Sequence, residues 1–181
     1  MKRFSIIVGD ITNSDAEAIV NAANTALLGG SGVDGAIHAA AGPELLEECK
    51  TLGGCETGRA KITAGYNLSA KYVIHTPGPI WQGGKQGEAA LRASCYRSCL
   101  ELAAEKGIRT VDFPSISTGV YGYPVTNAAS VALRAIMDFL RQHELPEQVR
   151  MVCHTKQTAD IYCQSWNMWF AATKADRLEI Q

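Results

Sequence analysis

Between Asn21 and His38 the chain reads Asn21-Ala-Ala-Asn24-Thr-Ala-Leu-Leu-Gly29-Gly30-Ser31-Gly32-Val33-Asp34-Gly35-Ala-Ile-His38, directly after the apolar Ala18-Ile19-Val20. Glycines where a loop enters a helix let backbone N–H groups approach an anion with no Cβ in the way. Asparagine amides and an aspartate carboxylate beside them supply donors and acceptors together. The chemistry implied is recognition of a phosphorylated sugar or nucleotide. A bland glycine-rich connection has no use for asparagine, aspartate and histidine at its two ends. Gly30-Ser-Gly32-Val-Asp-Gly35 matches G-x-G-x-x-G only formally. That fingerprint needs a strand running almost directly into the first glycine, and here Asn21 to Leu28 intervenes.

Asp34 stands at the head of a predicted helix, where the helix dipole stabilises a negative side chain. Read alone, it is either a base that acts on water or an N-terminal helix cap. His38, four residues on, shares its helix face. It serves equally well as a partner of Asp34 or as a packed helix histidine.

Two further loops carry polar or glycine-rich residues: Gly9-Asp10-Ile11-Thr12 and Ser115-Ile-Ser117-Thr118-Gly119-Val120-Tyr121-Gly122-Tyr123-Pro124. In an open α/β sheet, ligands bind beyond the carboxyl ends of the strands. Two glycine loops on one rim can clamp neighbouring phosphates from either side. No G-x-x-x-x-G-K followed by Ser or Thr occurs, so a metal-bound triphosphate is unsupported. A diphosphate held by backbone amides fits better.

The elements that must position these loops alternate. Strand patterns cover 3–9, 17–22, 59–64, 71–76, 110–114 and 148–154; helical patterns cover 34–41, 43–52, 88–106, 127–143 and 159–172. Gly42-Pro43 breaks the first two helices apart, with Pro43 suited to a first helical turn. In 88–106 the expected buried stripe is Leu91, Cys95, Cys99, Leu102 and Ala103. Such alternation predicts an α/β sandwich around a mostly parallel sheet. No linker or repeat divides the chain, so residues 1–181 are expected to form one domain.

With 181 residues and 46% hydrophobic content, the chain has ample core for that fold. Lys+Arg of 17 against Asp+Glu of 18 gives a net charge of −1, so no basic field draws it to nucleic acid. No apolar run approaches the ~20 residues needed to span a bilayer. The basic start at Met1-Lys-Arg precedes too brief an apolar stretch for a signal peptide, and a cytoplasmic protein is expected. Six scattered cysteines, at positions 49, 55, 95, 99, 153 and 163, lack zinc-site spacing and are expected as free buried thiols. No metal is implied.

Taken in order, Gly9-Asp10-Ile11-Thr12, Asn21-Ala-Ala-Asn24, Gly29 to His38, His75-Thr-Pro-Gly-Pro79 and Ser117-Thr-Gly-Val-Tyr-Gly-Tyr-Pro124 resemble the macrodomain family. The likeness is to its MacroD-type ADP-ribose hydrolases, including bacterial O-acetyl-ADP-ribose deacetylases, and runs from about residue 4 to about 162. It implies a three-layer α/β/α sandwich with a mixed, mostly parallel six-stranded sheet. It implies a metal-independent hydrolase, with no cofactor, acting on mono-ADP-ribosylated acidic side chains or on O-acetyl-ADP-ribose. The partners implied are ADP-ribose, O-acetyl-ADP-ribose and mono-ADP-ribosylated proteins, with no membrane and no nucleic acid. The alternative is a reader that binds ADP-ribose without turnover.

Carried over by residue, the resemblance assigns the adenine amino group to Asp10, with Ile11 beside it. A carboxylate only accepts and the amino group donates, so the pairing is sound; read alone, Asp10 is a turn or helix-cap residue. Asn24 would meet the distal ribose, and Asn21 would shape its loop or act as a plain staple. Gly32 and Val33 would form the first diphosphate loop; Ser117, Thr118, Gly119, Val120 and Tyr121 the second, with Tyr121 covering the distal ribose. Asp34 would orient or deprotonate the attacking water, assisted by His38. Three positions depart from the pattern. Ser31 replaces a third glycine and Ala39 a frequent arginine, while His154-Thr155 stands in place of an aromatic-aspartate pair. His154 would stack on adenine less broadly than Phe or Tyr.

Overall fold

The computed structural model describes residues 2–119 and 121–170. Its strands are β1 (Phe4–Val8), β2 (Ala18–Ala23), β3 (Lys61–Ala64), β4 (Tyr72–Pro77), β5 (Thr110–Phe113) and β6 (Gln148–Cys153). Its helices are α1 (Gly32–Ala41), α2 (Pro43–Lys50), α3 (Glu88–Glu105), α4 (Val125–Gln142) and α5 (Lys156–Phe170), with a 3-10 turn at Ile11–Asn13. Each element starts within a helical turn of its expected place; the expected end of the last helix lies beyond the described residues.

The strands order as β1-β6-β5-β2-β4-β3, all parallel except the β3–β4 pair. Parallel strands need both faces covered, and two apolar layers do this. On β2, Ala18 and Val20 face the layer that holds α3, α4 and α5, while Ile19 and Ala23 face α1 and α2. The same two-residue period puts Asn21 on the α1 side. On β4 it sends Val73 and His75 to that side too.

Local chemistry sets where α1 begins and ends. Ser31, extended at φ −97 and ψ 179, is its N-cap, and Asp34 occupies the first turn. Gly42, at φ +87, lets the backbone turn out of α1 while its N–H still bonds the His38 carbonyl at 3.2 Å. Ile37 and Ala41 are fully buried beneath α1. Burying an isoleucine contributes about 1.5–3 kcal/mol, enough to fix which face of α1 meets the sheet.

In α3 the buried stripe is rotated from the one expected. Leu91 is 37% exposed, whereas Arg92 and Tyr96 are fully buried beside Cys95 and Cys99. Arg92 tolerates burial because its guanidinium is satisfied: it donates to the carbonyls of Ile116 and Ala128 and to Tyr162 Oη, and stacks on Tyr96 and Tyr123. All six cysteines are buried and free. Among the described residues, no helix is long and apolar enough to cross a membrane.

Candidate active site

A cavity of about 640 Å³ opens beyond the carboxyl ends of the parallel strands. That volume lies within the usual range for a small-molecule site. Every parallel strand contributes to its wall. Gly9, Asp10 and Ile11 follow β1; Asn24 and the segment from Gly30 to Asp34 follow β2; Gly78 follows β4. Ser115, Ser117, Thr118, Gly119 and Tyr121 follow β5, and Val152, His154 and Thr158 close the far side. Val120 lies outside the described residues. Among the described residues the wall carries no lysine or arginine, so an anion entering it would meet backbone N–H groups and hydroxyls.

Asp34 is only 4% exposed, yet its carboxylate reaches this wall. Asn21 Nδ2 donates to its Oδ1 at 2.9 Å, and His38 Nε2 lies 3.4 Å from the same oxygen. The second oxygen, Oδ2, faces Gly30, where a Cβ would sit 3.0 Å from it and 3.4 Å from Asn24 Nδ2. One oxygen is therefore anchored and the other is presented. Glycine at position 30 keeps the space before that oxygen open.

One expectation needs correction. Asn21, expected beside the ligand as the shaper of its loop or as a plain staple, does not line the cavity. The strand period turns it beneath α1, fully buried, with its amide on Asp34 and His75. His38, expected as a partner of Asp34 or as a packed helix histidine, lies behind Asp34, one turn further into the helix. Asn24 does line the wall, and it also staples its own loop. Its Nδ2 donates to the Gly29 carbonyl at 2.9 Å, and its Oδ1 accepts from Leu27 N at 3.1 Å.

The glycine loops are built as an anion site requires. Gly32 has φ +61, in the left-handed region, whereas Ser31 is extended. The serine that replaces a glycine thus carries no backbone strain, and it lines the cavity. A Cβ on Gly35 would lie 2.5 Å from the Gly30 carbonyl, so the helix can approach the loop only as glycine. Across the cavity, Ser117 has φ +66 and a buried hydroxyl without a partner. Strain and an unpaired hydroxyl on a cavity wall together mark a position shaped for a ligand. Thr118 Oγ1 donates to the Ser115 carbonyl, and the Tyr121 carbonyl accepts from Trp81 N, tying the loop to its surroundings.

At the other end, Asp10 takes the turn-cap role open to it in the sequence and also lines the cavity. Its Oδ1 accepts from both the backbone N–H and the hydroxyl of Thr12, capping the 3-10 turn. These bonds hold its carboxyl below the usual range. Its Oδ2 remains available on the cavity wall, with Ile11 buried beside it and His154 exposed across from it. Asp10→Asn keeps an acceptor for Thr12 but presents an amide donor where Oδ2 stood. It is expected to weaken ADP-ribose binding about tenfold or more, with unchanged melting temperature. Equal calorimetric affinities would remove Asp10 from the ligand site.

Two buried groups behind the wall had no role assigned from the sequence, although His75 opens one of its motifs. Arg92 holds the Ile116 carbonyl, and its partner Tyr162 Oη lies 2.6 Å from Ser115 Oγ, so one guanidinium supports the β5 loop at two points. No ion pair among the described residues engages it. His75 sits under Asn21, with Nδ1 3.1 Å from Asn21 Nδ2 and Nε2 2.9 Å from Thr63 Oγ1. A polar side chain inside an otherwise apolar strand was the available signal for His75. For Arg92 there was none, since an arginine in a helix normally marks its solvated side.

A family model described as "Macro domain" matches residues 20–132. The chain belongs to the macrodomain family. A macro domain-containing protein of Methanosarcina mazei is 60% identical over 156 residues, covering 86% of this chain and 83% of that protein. A protein of Salmonella gallinarum named O-acetyl-ADP-ribose deacetylase is 54% identical over 166 residues, covering 90% and 93%. Among solved structures, a glycine-to-valine variant of the Oceanobacillus iheyensis macrodomain with ADPR is 44% identical. It superposes with a TM-score of 0.89 over 92% of each chain. The macrodomain architecture is thus shared down to the six-stranded mixed sheet.

Proposed function

We propose that this macrodomain binds ADP-ribose in the cavity and hydrolyses oxygen esters on its distal ribose. The observation that carries the reading is the pairing of glycine loops with a buried, anchored carboxylate on one wall. The diphosphate lies between the loop at Gly32-Val33 and the loop at Ser117–Tyr121, held by backbone amides. Adenine lies toward Asp10, Ile11 and His154. The distal ribose then falls beside Asn24, Tyr121 and Asp34.

In that pose Asp34 Oδ2 accepts a hydrogen bond from a water and orients it toward the ester. As the water oxygen bonds to the carbon under attack, its proton passes to Oδ2 or to a substrate phosphate oxygen. The ester C–O bond breaks, and the proton returns to the leaving oxygen. Two substrates share this chemistry: O-acetyl-ADP-ribose and ADP-ribose linked to an acidic side chain. The first has support in the name of the Salmonella relative; the second extends the same step to a larger leaving group.

A reader that only binds ADP-ribose has no use for a buried carboxylate anchored by Asn21 with His38 beside it. Incubation with O-acetyl-ADP-ribose and with a glutamate-linked mono-ADP-ribosylated protein separates the readings. Release of acetate or of free ADP-ribose is expected. Tight binding with neither product would make the protein a reader. Saturation at one hundred times Kd is also expected to stabilise the fold by about 2.7 kcal/mol, roughly 5–10 °C in Tm. Absence of any ADP-ribose-dependent shift in a scanning experiment would count against the cavity as the ligand site.

A further inference from the structure

Behind Asp34 runs a chain of buried polar groups that reaches across three strands. Asn21 on β2 and His75 on β4 are register partners. Thr63 on β3 lies on the far side of the imidazole. Both Asn21 and His75 are fully buried, and Thr63 is 3% exposed. A sheet layer that needed only packing would place apolar residues at all three positions.

The donor and acceptor roles along this chain follow from its two ends. Asp34 Oδ1 only accepts, so Asn21 turns Nδ2 to it, and the same Nδ2 needs an acceptor in His75 Nδ1; with its hydrogen on the Ala64 carbonyl at 3.1 Å, Thr63 Oγ1 accepts on the other side of the ring. Nε2 of His75 therefore carries the proton, and Nδ1 is a bare acceptor. Burial, with His38 nearby, lowers the His75 pKa to about 3 and keeps the ring neutral. Asn21 Nδ2 then gives one hydrogen to Nδ1 at 3.1 Å and the other to Asp34 Oδ1 at 2.9 Å. A flipped amide would set its oxygen against the bare Nδ1 and the carboxylate together.

The Asn21 amide keeps this orientation although its own Oδ1 is buried with no partner. Leaving a buried acceptor without a partner is unfavourable. The arrangement that accepts this cost is the one that offers Asp34 a donor.

We propose that His75 is a positioning residue for the hydrolysis. Its bare Nδ1 sets the Asn21 amide, which anchors Asp34 Oδ1 and leaves Oδ2 turned to the cavity. The proposal rests on Asp34 acting on water, as inferred above. His75 touches no ligand, so its removal acts on turnover and not on binding.

The test compares three variants by kcat, KM and ADP-ribose affinity. His75→Asn places a carbonyl oxygen near the former Nδ1 and is expected to keep kcat within about threefold. His75→Gln reaches toward Thr63 but withdraws the acceptor from Asn21; His75→Leu removes both. Each of these two is expected to lose about 10–100-fold in kcat, with KM and affinity within about threefold. Equal kcat in the Asn, Gln and Leu variants, or losses that follow Tm alone, would overturn the proposal. The tautomer is read in the unmodified protein by nitrogen NMR of labelled histidine. A protonated Nδ1 on His75 at neutral pH would overturn the proposal even if no variant folds. Wild-type turnover, measured alongside, distinguishes failure of this proposal from failure of the hydrolase reading.

Discussion

Asp34→Ala is expected to slow turnover of O-acetyl-ADP-ribose by about 10²–10⁴-fold, the usual loss with a general base, while ADP-ribose affinity changes only a few-fold. Asp34 is one residue of a wall that also carries two glycine loops and, at the far end, Asp10, Ile11 and His154. Those contacts supply affinity equally to ground state and transition state, so losing Asp34 lowers kcat and kcat/KM together. Asp34→Asn, which keeps the shape but not the charge, should behave like the alanine variant. The truncation leaves Asn21 Nδ2 and His38 Nε2 without their shared oxygen, so some stability loss accompanies it. Single-turnover kinetics with saturating enzyme reads the chemical step free of binding. Full activity in Asp34→Ala would move the proton-accepting role to the substrate phosphate.

Gly119→Glu is expected to abolish ADP-ribose binding, by more than about 10²-fold, while the protein stays folded. An added Cβ at Gly119 meets nothing within 4 Å, and the residue is exposed on the cavity wall. The new side chain therefore enters open space and not the core. Its carboxylate would stand where a diphosphate must approach, in a cavity whose wall, among the described residues, offers no lysine or arginine to neutralise it. Like charges at about 4 Å repel by about 4 kcal/mol at an effective dielectric near 20. Gly119→Gln, equal in size but neutral, should lose far less. Calorimetric titration of a folded Gly119→Glu protein that still binds ADP-ribose would contradict the diphosphate clamp.

The order of elements was legible because each carries its own period and its own stop. Gly42-Pro43 separates α1 from α2, and apolar runs mark β2 and β4. The loops were legible because glycine, asparagine and aspartate cluster there without a structural need. The stripe of α3 was misread because spacing alone counts arginine as polar. Only the fold supplies the carbonyls and tyrosine faces that let Arg92 sit inside. The roles of Asn21 and Asn24 hinge on strand parity: Ala23 and Asn21 point to the α1 side, and Asn24 lies past the strand end. Ser31 was read as a lost glycine, but the left-handed backbone falls on Gly29 and Gly32, on either side of it. Which glycine in a run carries the turn depends on how the helix behind it is docked.

The position of β6 in the sheet bears on how the protein comes into being. Among the described residues β6 is the last strand in sequence, yet it lies between β1 and β5, and β1 pairs with no other of these strands. Until the ribosome has released residues 148–153, the first strand has no edge to join, and Asp10 hangs on an undocked segment. The end of the cavity around Asp34, drawn from β2, α1 and β4, has no such dependence on β6. The two ends of the cavity therefore differ in how far they depend on the late strand. Insertion of one late strand between two early ones is a long-range, slow step. Capture of ADP-ribose reports that this step is finished.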